Sequence, residues 1–124
     1  MAHPHFHCSV SVEPLAEHTH PQQGQYAFGY TITIENRGDV AAQLIARHWH
    51  IVDARGQTQE VRGLAVVGHQ PLLQPGERFQ YSSWAQIATP QGSMRGHYLC
   101  VTEAAEVFHA EVPEFLLAQA GSLH

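Results

Sequence analysis

Hydrophobic and polar residues alternate with a period of two over much of this chain, a pattern that predicts strands rather than helices. Phe6, Cys8, Val10 and Val12 alternate with His5, His7, Ser9 and Ser11, and Phe28, Tyr30, Ile32 and Ile34 alternate with Gly29, Thr31, Thr33 and Glu35. Successive side chains of a strand point to opposite faces, so each series makes one apolar and one polar face. Asn36-Arg37-Gly38-Asp39 supplies a turn after the second series. The polar stretch Glu13 to Gln25, with Pro14, Pro21 and Gly24, reads as a loop.

A third strand runs from Ala42 to Val52 and ends at the turn residues Asp53-Ala54-Arg55-Gly56. Its register has two readings: Ile45, Trp49 and Ile51 share a face with Arg47, while Leu44 and Ala46 share the other with His48 and His50. Trp49 is expected inside. Thr58 to Val61 gives another strand, followed by a loop from Arg62 to Pro71 and by Gln74-Pro75-Gly76-Glu77, where proline and then glycine fit a type II turn. Phe79, Tyr81, Ser83, Ala85 and Ile87 alternate with Arg78, Gln80, Ser82, Trp84 and Gln86, and Thr89-Pro90-Gln91-Gly92 breaks that strand. Met94 to Thr102 and Val107 to Val112 complete the set, the last ending before Pro113.

About seven strands with turn signals between them, and no amphipathic helix, predict an all-β antiparallel sandwich of the immunoglobulin-like or fibronectin type III-like kind. Trp49 in the third strand and Tyr98 two residues before Cys100 suit that architecture. A chain of 124 residues is read as one domain over 1–124, with flexible ends at about 1–4 and 118–124.

Composition narrows the function classes. Only 14% of the residues are charged, and the net charge of −5 comes with six arginines and no lysine. The basic footprint of a nucleic-acid-binding protein is missing, so no nucleic-acid partner is expected. Eleven histidines would remove most of the negative charge near pH 6. The opening Met-Ala-His-Pro-His-Phe-His has neither the basic nor the apolar region of a secretory signal, and no apolar run reaches the roughly 20 residues of a membrane span. A cytoplasmic protein without membrane insertion is the expectation, with Cys8 and Cys100 free and packed in a reducing compartment.

Two features carry candidate chemistry. In Arg62-Gly63-Leu64-Ala65-Val66-Val67-Gly68-His69-Gln70-Pro71, two glycines could let backbone N–H groups approach an anion, with Arg62 and His69 assisting. The candidate ligand-binding residues are Arg62, Gly63, Gly68, His69 and Gln70. The run resembles a dinucleotide fingerprint, but Ala65 replaces the middle glycine and no helix follows, so the bland reading is an inter-strand loop that needs glycine for its backbone. Histidine is the second feature. His48 and His50 form an i, i+2 pair on one strand face, and His3, His5 and His7 form a cluster near the chain start, so His48, His50, His5 and His7 are candidate ligands for a divalent metal. An exposed strand face and a loose terminus are the respective bland readings. No catalytic residues are assigned: Ser82-Ser83-Trp84 lacks a nucleophile elbow, and Glu103 and Glu106 read as a solvated turn.

From Tyr26 onward the chain resembles the ApaG family through an ordered series of motifs: Arg47-His48-Trp49, Gly63 to Pro71, Leu73-Gln74-Pro75-Gly76-Glu77, Thr89-Pro90-Gln91-Gly92, Met94-Arg95-Gly96-His97-Tyr98 and Val112-Pro113-Glu114-Phe115. The resemblance implies an immunoglobulin-like or fibronectin type III-like sandwich, no enzymatic activity, a protein-binding role and a bacterial association with cobalt and magnesium efflux or resistance. It also implies a pyrophosphate-binding role for a loop that often reads G-x-G-V-V-G, of which Gly63 and Gly68 carry over and the middle glycine does not. Arg47, His48, Gln70, Thr89 and Gly92 match family positions as well. The resulting expectation is a non-enzymatic binding domain with a protein partner or a small anionic ligand such as pyrophosphate or a phosphorylated metabolite. Exposed sheet edges offer a route to a homodimer. A metal-assisted hydrolase is the remaining alternative.

Overall fold

The structure is a computed structural model and describes residues 2–118. Eight strands follow one another: β1 (Phe6–Pro14), β2 (Tyr26–Asn36), β3 (Ala42–Asp53), β4 (Thr58–Leu64), the two-residue β5 (Leu72–Leu73), β6 (Arg78–Ile87), β7 (Gln91–Thr102) and β8 (Val107–Ala118). They form two antiparallel sheets, one in the order β1-β2-β6 and one in the order β4-β3-β7-β8 with β5 paired to β3. This is the expected sandwich, with the short β5 as the addition.

The alternating apolar series meet between the sheets. Phe28, Ile32 and Ile34 of β2 face Leu44, Tyr98 and Cys100 of the other sheet in one core, all fully buried. At its centre the hydroxyls of Tyr81 and Tyr98 lie 2.6 Å apart. A buried phenol needs such a partner, and here one tyrosine serves the other across the sandwich. Burial pushes both phenols above their ordinary range. Cys8 and Cys100 are free and buried, and desolvation pushes each thiol up to about 12.

Both readings of the third strand hold, each over half of its length. Against β7, Leu44 faces Cys100 and Ala46 faces Leu99, so Ile45 is an extra residue in a bulge. An inserted residue exchanges the two faces of a strand. Ala42 and Leu44 point into the core before it, and Trp49 and Ile51 after it. A second irregularity, between Met94 and Gly96 of β7, absorbs Pro113 and Glu114 of β8. The last strand therefore does not stop before Pro113 but continues to Ala118, because the residue without an N–H sits where the ladder is already interrupted. Beyond Ala118, the flexible end expected at 118–124 lies outside the described residues, as does Met1.

Two turns match their sequence signals. Glu77 N donates to Gln74 O at 2.9 Å with Gly76 at φ +88, the type II arrangement, and the Asp53 carboxylate accepts the N–H groups of Arg55 and Gln57. The polar stretch after β1 contains two short 3-10 turns, Ala16–His18 and Pro21–Gln23. No helix among the described residues is long and apolar enough to cross a membrane.

Candidate functional site

The outward face of the larger sheet gathers the titratable side chains. Past the Ile45 bulge, His48 and His50 face outward from β3, and β4 places Arg62 opposite His48 and Glu60 opposite His50. On the other side of β3, His97 of β7 stands opposite His48. His109 of β8 completes the row. Ring centroids are 4.7 Å apart for His48 and His50, 5.0 Å for His48 and His97, and 4.7 Å for His97 and His109. Four imidazoles thus form a belt across three strands. His97 is held below its ordinary range, first by partial desolvation and then by its neighbour His109.

At one end of the belt lies a tighter group. One ligand atom from each of His48, His50 and Glu60 can be chosen so that all lie within 4.8 Å of one another. His48 Nε2 is 2.9 Å from Glu60 Oε1, and the Arg62 guanidinium pairs with the same oxygen. Arg62 Nε also points at His48 Nε2 from 3.2 Å. One ring nitrogen cannot donate to Glu60 and accept from Arg62 at once, so the shorter carboxylate contact is taken as the hydrogen bond. The hydrogen bond from His48 and the charge of Arg62 hold the Glu60 carboxyl below its usual range.

Of the other sequence candidates, Arg62 joins this group through Glu60, and the rest lie apart from it. His5 and His7 are exposed near the start of β1, with His7 paired to Glu35, and the only three-ligand group among the described residues is His48, His50 and Glu60. The segment Arg62 to Pro71 is also not one loop. Arg62, Gly63 and Leu64 belong to β4, extended there by pairing with β3. Val66 and His69 then exchange two backbone hydrogen bonds, 2.8 and 2.9 Å, around Val67 and Gly68, which both have positive φ at +47 and +79. That is a two-residue hairpin turn of the primed type. Ala65 also has positive φ, at +68. A glycine would adopt that conformation freely, which gives a backbone reason for glycine at this place in the G-x-G-V-V-G pattern. The N–H of Ala65 bonds Ile45 O, Gln70 Nε2 donates to the same carbonyl, and His69 packs on Phe79.

Arg47, which the alternation puts on the Trp49 face and which matches a family position, carries an unusual arrangement. It lies on the inward face of β3 beside Trp49, and its Nη1 donates to Leu64 O and Ala65 O, each at 2.9 Å. Among the described residues it has no ion-pair partner.

A model of the ApaG domain matches residues 16–102. The sandwich of these two sheets is therefore that of an ApaG domain, and the chain belongs to the ApaG family. It is 59% identical over 115 residues to Protein ApaG of Ralstonia nicotianae, covering 93% of each chain, and 57% identical over 116 residues to Protein ApaG of Thiobacillus denitrificans, covering 94% of this chain and 91% of that one. The crystal structure of an ApaA protein from Bordetella pertussis superposes with a TM-score of 0.92 at 47% identity, over 96% of this chain and 97% of that one.

Proposed function

We propose that this chain is a non-enzymatic binding domain of ApaG type, and that its chemical centre is the His48, His50 and Glu60 group, which takes a late first-row divalent cation such as cobalt. The carrying observation is the convergence of two imidazoles and a carboxylate within 4.8 Å. Imidazole suits these cations, whereas magnesium prefers oxygen donors in an octahedron. The donor set therefore favours the cobalt side of the family's association with cobalt and magnesium. Three protein donors leave coordination positions for water or for a group from a partner, in keeping with an accessory factor in divalent-cation homeostasis.

Anion binding by the Arg62 to Pro71 segment has less support. The N–H groups of Ala65, Val66 and His69 are bonded within the chain, and Arg62 is paired with Glu60. Zinc, which is diamagnetic, tests the metal reading through the histidine ring nitrogens by NMR. Joint shifts at His48 and His50 are expected. Shifts confined to His3, His5 and His7, or none with millimolar zinc, would overturn it.

A further inference from the structure

Where the edge strands β4 and β6 of the two sheets approach each other, the sandwich is open. A cleft of about 550 Å³ lies there, within the range of small-molecule sites. Its walls include Tyr30, Trp49 and Met94, with Val61 at its β4 side, while Trp84 borders it from the outward face of β6, where its ring stacks on His18. Arg47 and Ser83 supply the polar groups, together with two glutamines that bridge the edge strands through Gln59 Nε2 and Gln86 O at 3.1 Å. Among the described residues, no aspartate or glutamate lines it.

Two unspent groups converge on this space. Trp49 is 2% exposed, and its indole Nε1 is buried with no hydrogen-bond partner. Leaving such a donor unpaired is costly, and a ligand that pairs it recovers that cost. The Cε3 and Cζ3 edge of the ring abuts Gly96 on β7, and Trp49 itself lines the cleft. Arg47 is the second. Among the described residues its charge has no carboxylate partner and only Nη1 is engaged, by two carbonyls. A half-buried cation held by neutral partners retains the capacity to take an anion.

We infer that the β4–β6 cleft is a binding site for a small organic acid with a flat apolar body, its carboxylate received by Arg47 and the Trp49 indole N–H and its body lying against Tyr30 and Met94. The donors and the positive charge select the carboxylate, and the aromatic walls select a planar body over a bare inorganic anion. The site is independent of the histidine belt, which lies on the outward face of the sheet. Its failure would leave the metal reading intact.

Benzoate is a suitable probe, with benzyl alcohol and inorganic phosphate as the uncharged and body-less controls. The chain has two tryptophans, so a Trp84→Phe variant assigns the Trp49 indole N–H resonance. Benzoate is expected to move that resonance downfield saturably, and neither control is expected to do so. Arg47→Gln should weaken benzoate about tenfold or more, the scale of one charge-assisted hydrogen bond. Arg47 also braces the chain, so Val61→Trp gives a second variant that fills the cleft and leaves Arg47 in place. It should abolish the shift while the remaining amide spectrum stays dispersed. An unmoved Trp49 resonance, an equal response to either control, or undiminished binding in folded Val61→Trp would overturn the assignment.

Discussion

Gly63 of β4 lies directly opposite Arg47 of β3, and a Cβ added at Gly63 would come within 2.8 Å of Arg47 Nη1. The glycine is therefore a space for a guanidinium. Gly63→Ala would push Arg47 off the Leu64 and Ala65 carbonyls, at an expected cost of about 1–2 kcal/mol of stability. Urea denaturation measures it; an unchanged midpoint would show that the guanidinium relocates freely.

Ala65 and Val67 hold left-handed backbone without being glycine. That conformation costs an L-residue roughly 1–2 kcal/mol, partly offset by the greater freedom of glycine in the unfolded chain. Ala65→Gly should raise stability by about 0.5–1 kcal/mol, and Val67→Asn should act in the same direction because asparagine tolerates the first position of a primed turn. A lower melting temperature for both variants would mean that the hairpin is not built as described.

Most strands were legible because alternation maps directly onto burial, as in β2, where Phe28, Tyr30, Ile32 and Ile34 all point inward. β3 resisted because the Ile45 bulge exchanges its faces midway, and no local pattern announces a bulge. β8 was cut short because Pro113 reads as a terminator unless the interruption in its partner strand is known. The candidate site was half visible. His48 and His50 stand two apart on one strand, whereas Glu60, His97 and His109 join them only through the pairing of β3 with β4 and β7 and of β7 with β8. The spacing of H-x-H signalled the pair. The inward Arg47 followed from its sharing a face with Trp49, whereas its carbonyl partners and the unpaired Trp49 N–H had no signal in the sequence.

Glu35 carries the pH dependence that the ion pairs predict. Its carboxyl is held below the usual range by hydrogen bonds from Arg37 and Arg78, with Nε–oxygen distances of 2.6 and 3.1 Å. A folded-state pKa below the unfolded value means the contribution is complete above about pH 4.5 and is lost as pH falls through the lowered value. Glu35→Gln should therefore flatten the acid limb of stability against pH below about 4.5 and leave its slope at neutral pH unchanged. An acid limb as steep as that of the parent chain would contradict it.

Cys8 and Cys100 should be inert in the folded protein. Both are buried with thiols pushed up to about 12, so the thiolate is scarce at pH 8. Native protein is expected to react with iodoacetamide only at the rate of unfolding, and fully in urea. Rapid native labelling of either thiol would show the core open at that end.

Arg62 competes with any cation for Glu60, since its guanidinium pairs with the oxygen that also faces His48. Arg62→Gln should release that carboxylate and strengthen cobalt binding several-fold, with the largest gain at low salt. Equal or weaker affinity would argue that Glu60 is not a ligand.

Calorimetric titration of cobalt into three forms of the chain tests the metal centre most directly: the parent, His48→Gln with His50→Gln, and His3→Gln with His5→Gln and His7→Gln. The predicted result is a single site that the terminal triple variant keeps. The strand double variant should lose more than about a hundredfold, beyond the cost of removing an outer-shell partner. Cobalt binding that survives in the double variant and disappears in the terminal one would place the metal at the chain start and contradict the assignment to His48, His50 and Glu60.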